Sequence, residues 1–560
     1  MPFHRGSTIR AGVSLAVIVL LVACTASPPV DPVAPTTGTA GQTPAPVSPP
    51  AVTTSPTEQA PVLESYAVSA AHPAAVEAGM SVLSNGGNAV DAAIAAAFAV
   101  SVVEPFASGL GGGGSAIIVP PGAEPQSYDY REVVAQDGVI PASGTGIPGF
   151  VAGMSALHQD RGQVEWADLL QPAIGLAADG FPITEFLALR MRSDYGPAAI
   201  DGQPQFHGWF RPLAAGDELV QEDLAATLST LASEGPTSFY TGALAEQVTR
   251  VDGIDAASLA AYEVVRAQPV RGAFGDHTIL SAAPALPGVA LIQMLQTAQA
   301  LGVGDAEPGS ADYVEDLSLA WQIADESVLA HLGDPAFVDV PVQELTDPAR
   351  NATLAQQVNT GSASTSAMAP LVPGNTTHLT VVDSAGLMVS MTNTITNFWG
   401  GADAQAVGGF FMNNQLSRFE TIDTPSNQPE PGRRSVSWAA PTVVLDNQDR
   451  PVLGIGSPGG HQIPNILANV ITRGSLHQQS LEEAVAAPRF HLQDGILTVE
   501  VEPTADLAAR LDELGWSADV VSVEEAIFGS VQALQVDYDT GQITGTADHR
   551  REATFAIGAP

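Results

Sequence analysis

The tightest constraint on this chain is a hairpin. Residues 378–383 and 387–396 are runs rich in β-branched and apolar side chains, joined by Ser384-Ala385-Gly386, a loop with glycine where left-handed geometry is wanted. If Asp383 pairs with Leu387, seven steps outward along each arm bring Thr376 opposite Thr394. Two hydroxyls then face each other at the open end of neighbouring strands, whereas a slip of one residue would turn them to opposite faces. For threonines alone, β-propensity is explanation enough.

The rest of the chain divides by composition. Residues 89–103 are small and apolar throughout; the run is short for a membrane span, ends at Glu104-Pro105, and reads as a buried helix. Gly111 to Gly114 lack the Gly-Lys-Ser/Thr of a phosphate loop and read as a close-packed turn. Helical patterns follow at 219–233, 290–300 and 311–332. Residues 351–375 are small and polar, which predicts an exposed, flexible segment leading into Asn375-Thr376. Beyond it come strands separated by turns, then helices near 462–473 and 504–514, so the class is α+β in layers.

The run Thr376-Thr377-His378-x-Thr-Val-Val-Asp383 resembles the start of the small subunit in the γ-glutamyltranspeptidase family. Asn85-Gly-Gly-Asn-Ala-Val-Asp-Ala-Ala93, Val103-Glu-Pro-Phe-Ala-Ser-Gly-Leu-Gly-Gly-Gly-Gly114, Asp129-Tyr-Arg-Glu132, Gly146-Ile-Pro-Gly-Phe-Val-Ala-Gly153, Gly333-Asp-Pro335, Asn413-Asn-Gln415, Gly456-Ser-Pro-Gly-Gly460 and Ala487-Pro-Arg-Phe-His491 follow in the family's order. The likeness runs from about residue 66 to the C-terminus. It implies the four-layered αββα sandwich of the N-terminal-nucleophile hydrolases, a precursor that cuts itself between Asn375 and Thr376, and no cofactor or metal. The products would be a large subunit ending at 375 and a small subunit of residues 376–560. The implied substrates are γ-glutamyl amides such as glutathione, with water, an amino acid or a peptide as acceptor.

The chemistry fits the residues. A threonine at a chain terminus carries its own base, an α-amino group of pKa about 7.7–8.0. Thr376 would therefore be the nucleophile and Thr394 its orienting partner. Gly459 and Gly460 sit between a strand at 452–455 and a helix whose apolar spacing begins at Ile463, where free N–H groups suit an oxyanion; on local pattern alone an ordinary turn fits better, and it is the resemblance that implies the oxyanion site. The resemblance implies that Arg131 grips a substrate carboxylate, although the motif also fits an ion pair with Asp129 or Glu132. It places Ser437 at the same carboxylate and Gln415 at the substrate amino group. His378 reads as a packed strand residue. Three positions depart from the family: Arg418 stands where an acidic residue holds the substrate ammonium, Thr396 where Asn or Glu is usual, and Trp438 at the second of two serines. The segment 419–433 is also short for a lid. Donors of another kind, as in cephalosporin acylases or poly-γ-glutamate-processing enzymes, are thus open. A binding protein that kept the fold is the rival from another class, and retention of Thr376, Thr394, Gly459 and Gly460 speaks against it.

Composition bounds the partners. Sixty acidic residues face 20 basic ones, all of them Arg, and a net charge of −40 repels nucleic acid and anionic membrane faces. His4, Arg5 and Arg10 precede an apolar run at 11–22, short of the roughly 20 residues that span a bilayer, and Leu21-Val22-Ala23-Cys24 resembles a bacterial lipobox. Residues 1–23 then read as a lipoprotein signal peptide. Cys24, the sole cysteine, reads as the lipidated N-terminus, and no disulfide is possible. Residues 24–65, rich in Pro, Thr and Ser, read as a disordered tether that leaves the enzyme outside the cytoplasm, held to the membrane by lipid.

Overall fold

The computed structural model describes residues 63–193, 195–203, 206, 213–358 and 375–560. The signal peptide, Cys24 and nearly all of the tether lie outside the described residues, as does most of the segment before Asn375.

The hairpin forms in the expected register. Thr377–Val382 pairs with Met388–Thr394, Val382 opposite Met388 and Thr377 opposite Asn393. Asp383 N donates to Leu387 O at 3.2 Å, and Asp383 Oδ1 accepts from the amides of Ala385 and Leu387, which closes the loop. This pair lies at the centre of a seven-stranded antiparallel sheet, ordered Thr554–Gly558, Tyr66–Ala70, Thr377–Val382, Met388–Thr394, Gly113–Val119, Gln126–Asp129, Val265–Ala267. A second antiparallel sheet has six strands, ordered Gln542–Ala547, Gln532–Asp537, Pro451–Gly456, Thr442–Leu445, His277–Ser281, Val270–Phe274.

Alternation then assigns the layers. Val382 and Met388 pack with Val443, Leu445 and Leu534 of the second sheet, so the even-numbered hairpin residues face the space between the sheets. Leu379, Val381, Val389 and Met391 face the other way, into the core built on helix Ala89–Val103, every residue of which is buried. Asn88 caps that helix with a capping box, and its smooth alanine surface lets it lie flat on the sheet. Helices Gly288–Leu301, Ala311–His331 and Ile463–His477 cover the outer face of the second sheet. The order is helix, sheet, sheet, helix: an αββα sandwich.

Two local expectations change. Gly113 and Gly114 open a strand instead of forming a turn, because a Cβ on Gly112 or Gly114 would collide with the carbonyl oxygens of Thr394 and Thr392. The glycines are there so that two backbones can touch. Residues 351–357 belong to helix Pro348–Gln357, which Asp347 caps, so the stretch before Asn375 begins as ordered helix. Among the described residues, no helix is long and apolar enough to cross a membrane.

Candidate active site

Because Thr376 and Thr394 fall on the inner face at the open end of the hairpin, their side chains meet between the sheets. Thr376 Oγ1 lies 3.2 Å from Thr394 Oγ1 and also packs against the carbonyl oxygen of Asn375. Thr394 Oγ1 donates to that same carbonyl at 3.1 Å and accepts from Thr396 N at 2.9 Å. Its one donor and two acceptor sites are thereby filled. A hydroxyl, the carbonyl it could attack and a donor polarising that carbonyl stand together in the uncut chain.

Thr396 is held at φ 80°, a conformation costly for a β-branched residue. Its hydroxyl donates to Gln415 Oε1 at 2.7 Å, and Gln415 Nε2 donates to Ser435 Oγ at 2.8 Å. Asn413 fixes the start of this loop: its Oδ1 accepts from Gly146 N and Gln415 N, and its Nδ2 donates to Gly111 O and Gly146 O. The strain at Thr396 is thus held by a network that leaves Thr394 one position.

The cleft at the two threonines is lined by Asn375, Thr396, Gln415, Arg418, Ser437, Trp438, Ala439, Gly460 and Ile463. Asn375 is itself part of the wall, with both side-chain amide atoms buried and unpartnered. Gly459 (φ 142°) and Gly460 (φ 57°) form the bend from strand Pro451–Gly456 into helix Ile463–His477, and a Cβ on Gly459 would press on Ile466. Only glycine relaxes into that bend.

The structure does not bring Arg131 into this lining. The side chain is wholly buried; its Nε and one terminal nitrogen donate to the two oxygens of Asp129 at 3.0 and 2.6 Å, and the other donates to Ser435 O at 2.6 Å. The Asp129 partner that the motif allowed is the one it takes, in the interior instead of at the surface, and Arg131 meets the cleft only through Ser435. Arg131 and Arg434 together hold the Asp129 carboxyl below the usual range against the opposing effect of burial.

Arg418 has the opposite surroundings. It is partly exposed at the cleft, its Nε is buried without a partner, and burial alone lowers its pKa to about 10. Its carbonyl accepts from Asn427 Nδ2 at 3.2 Å, but its side chain makes no hydrogen bond or ion pair with the described residues, and among those residues no carboxylate lines the cleft. His378 is buried and satisfied, bonded to Thr392 Oγ1 at 2.8 Å and Thr380 Oγ1 at 3.2 Å, and desolvation lowers its pKa to about 3.

Two neighbours of the Thr376 segment carried no functional signal in the sequence. Arg551 donates to Thr376 O at 3.4 Å, and its guanidinium lies over Phe186 and Phe398. Glu104 is buried beside Thr377; desolvation raises its carboxyl to about 7, against the pull of the Thr377 hydroxyl and Arg551. An Arg-Arg pair in a chain poor in basic residues was the available hint of the first. Among the described residues, no group of three or more His, Cys, Asp or Glu side chains could hold a metal.

Comparison with known proteins fixes the family. The γ-glutamyltranspeptidase family model matches residues 75–558. The capsule biosynthesis protein CapD proenzyme of Bacillus anthracis is 35% identical, covering 88% of this chain and 90% of its own. The glutathione hydrolase proenzyme of Escherichia coli (strain K12) is 31% identical over 86% of this chain and 90% of its own. Among solved structures, a cephalosporin acylase from Bacillus halodurans shares the fold with a TM-score of 0.79 at 23% identity, covering 88% of this chain and 96% of that one. The family model spans nearly the whole folded body, and two relatives exceed 30% identity over more than four fifths of the chain, so the chain belongs to the γ-glutamyltranspeptidase family of N-terminal-nucleophile hydrolases.

Proposed function

We propose that the chain cleaves itself between Asn375 and Thr376 and then works as a threonine acyltransferase on amides whose acyl part carries a carboxylate, γ-glutamyl amides such as glutathione first among them. The carrying observation is the contact of Thr376 Oγ1 with Thr394 Oγ1 at 3.2 Å while Thr394 donates to Asn375 O. In maturation, Thr376 Oγ1 adds to the Asn375 carbonyl carbon, the C–N bond breaks, and the amine takes the hydroxyl proton. Water then hydrolyses the ester, leaving a large fragment ending at Asn375 and a small one beginning at Thr376. In turnover, the freed α-amine accepts the proton of Thr376 Oγ1 as it attacks the donor amide. The leaving amine departs protonated, and water or an amine releases the acyl group. Gly459 and Gly460 offer their N–H groups to the oxyanion of this second reaction.

Arg418 bears on the donor. With the Arg131 fork filled by Asp129, Arg418 is the cation at the cleft with no protein partner among the described residues, and it suits the donor carboxylate. The same geometry favours a second reading, a donor without the amino group, because among the described residues no acidic side chain lines the cleft to receive an ammonium. Assaying the purified, cleaved protein on γ-glutamyl and glutaryl anilides side by side separates the two. A glutaryl rate equal to or above the γ-glutamyl rate supports the second reading, and a strong preference for γ-glutamyl supports the first. Loss of neither activity in Thr376→Ala would remove the nucleophile assignment. Lipid attachment at Cys24 rests on the sequence alone; Cys24→Ser should move the protein from the membrane to the soluble fraction, and unchanged partitioning would refute it.

A further inference from the structure

The bend at Gly459 and Gly460 contains two residues of unusual backbone freedom, yet an oxyanion site works only if its donors are already in place. Something must hold the bend. On the strand side, Ser530 N donates to Ser457 Oγ at 3.2 Å, and Gly529 packs directly under the carbonyl of Pro458. On the helix side, residues 459–462 make one side-chain hydrogen bond among the described residues. His461 Nε2 donates to Asp325 Oδ1 at 3.3 Å, while both amide atoms of Gln462 are buried without partners. Asp325 is buried within helix Ala311–His331, so the tie crosses from the candidate large fragment to the small one.

The imidazole of His461 is also clamped by rings. Trp438, which lines the cleft, lies 4.5 Å away between centroids, Trp321 5.0 Å and His491 5.1 Å. His491 has both nitrogens buried without partners, and burial together with His461 holds it well below the ordinary histidine value, so it packs as a neutral ring and leaves Asp325 to His461.

We propose that Asp325 and His461 are the positioning pair of the acyl-transfer step, fixing the Gly460 N–H where the donor's oxyanion forms. The inference rests on reading Gly459 and Gly460 as the oxyanion donors. It also separates the two reactions of this chain. In self-cleavage the carbonyl of Asn375 takes its hydrogen bond from Thr394, and no N–H of Gly459 or Gly460 donates to it. The pair should therefore govern turnover and leave maturation alone.

The test uses the full chain and reads cleavage and turnover in the same samples. His461→Ala should still split into two fragments, which also reports folding, while its kcat falls about tenfold to a hundredfold, a loss short of deleting an oxyanion donor outright, and KM stays within about threefold. His461→Gln, whose amide N–H can still donate to Asp325, should recover most of that loss, and Asp325→Ala, which removes the acceptor, should lower kcat in the same way with normal splitting. A cleaved His461→Ala with wild-type kcat, a rise in KM at unchanged kcat, or failure of all three variants to split would overturn the proposal. Gly460→Ala keeps the two ideas apart. If it retains kcat, the bend is not the oxyanion site; if it loses kcat while His461→Ala does not, the glycines act without the pair.

Discussion

The two ends of the cleft are built on opposite rules. At the hairpin every hydrogen-bonding site of Thr394 is occupied, and a chain of contacts runs from it through Thr396, Gln415 and Ser435 to Arg131 and Asp129. A few residues away, Arg418 has an unpartnered buried Nε, and both side-chain amide atoms of Asn375 are unpartnered. Unsatisfied buried polar groups are costly, so a protein tolerates them where something else will complete them. In the proposed function the paired end does the chemistry and must not move. On the same proposal the unpaired end is where a ligand would supply the missing partner, and in the uncut chain Asn375 lines that space. The difference teaches where to look for specificity: in Arg418, and less in the buried Arg131.

The largest effect should come from breaking the paired end. Thr394→Ala removes the donor on the Asn375 carbonyl and the partner of Thr376 together, and losing one such donor costs about 10²–10³-fold in rate. Self-cleavage followed on a gel should slow by about that much, and Thr394→Ser, which restores the hydroxyl, should recover most of it. Equal rates in Ala and Ser variants would mean that the hydroxyl network is only packing.

A smaller change should follow at the unpaired end. A charge-assisted hydrogen bond is worth about 1.5–3 kcal/mol, or roughly tenfold or more in kcat/KM. Arg418→Asp should therefore lower glutaryl turnover by about that factor and raise γ-glutamyl turnover relative to it. If the Asp variant loses both activities in proportion, or gains neither way, Arg418 does not meet the donor and the contrast between the two ends fails.

The smallest expected effect lies behind the hairpin. Glu104 has its carboxyl raised to about 7 by burial, against about 4.3 in an unfolded chain, so the folded state holds a proton that the unfolded state releases. Its contribution to stability is present below about pH 4.3 and is lost as pH rises through about 7. Glu104→Gln should flatten the fall of the unfolding midpoint between pH 5 and pH 8 in part, since Glu132, raised to about 8 by burial, keeps some of the slope. An unchanged slope would show that Glu104 is not buried with its proton.

What the sequence revealed, and what it hid, follows the same division. The hairpin register was legible because loop length and alternation are local, and so was the helix at 89–103, whose uniformly apolar composition leaves it one place to go. The pairing of Arg131 with Asp129 was visible as a possibility from their spacing, but whether the fork points at a ligand or at its neighbour is decided by tertiary packing. Glycines 111–114 look like a turn locally, yet Gly113 and Gly114 open a strand, for a similar reason: the backbone that presses on Gly112 and Gly114 is remote in sequence. Arg551 left only the Arg550-Arg551 doublet as a hint and the Asp325–His461 pair left no pattern, because each contact joins residues far apart along the chain.

The most direct test is the mass of the fragments. Wild-type protein should yield a small fragment of residues 376–560 with threonine as its first residue, and Thr376→Ala should remain one chain with no turnover. Cleavage at any other bond, or a Thr376→Ala chain that still splits between 375 and 376, would contradict the account.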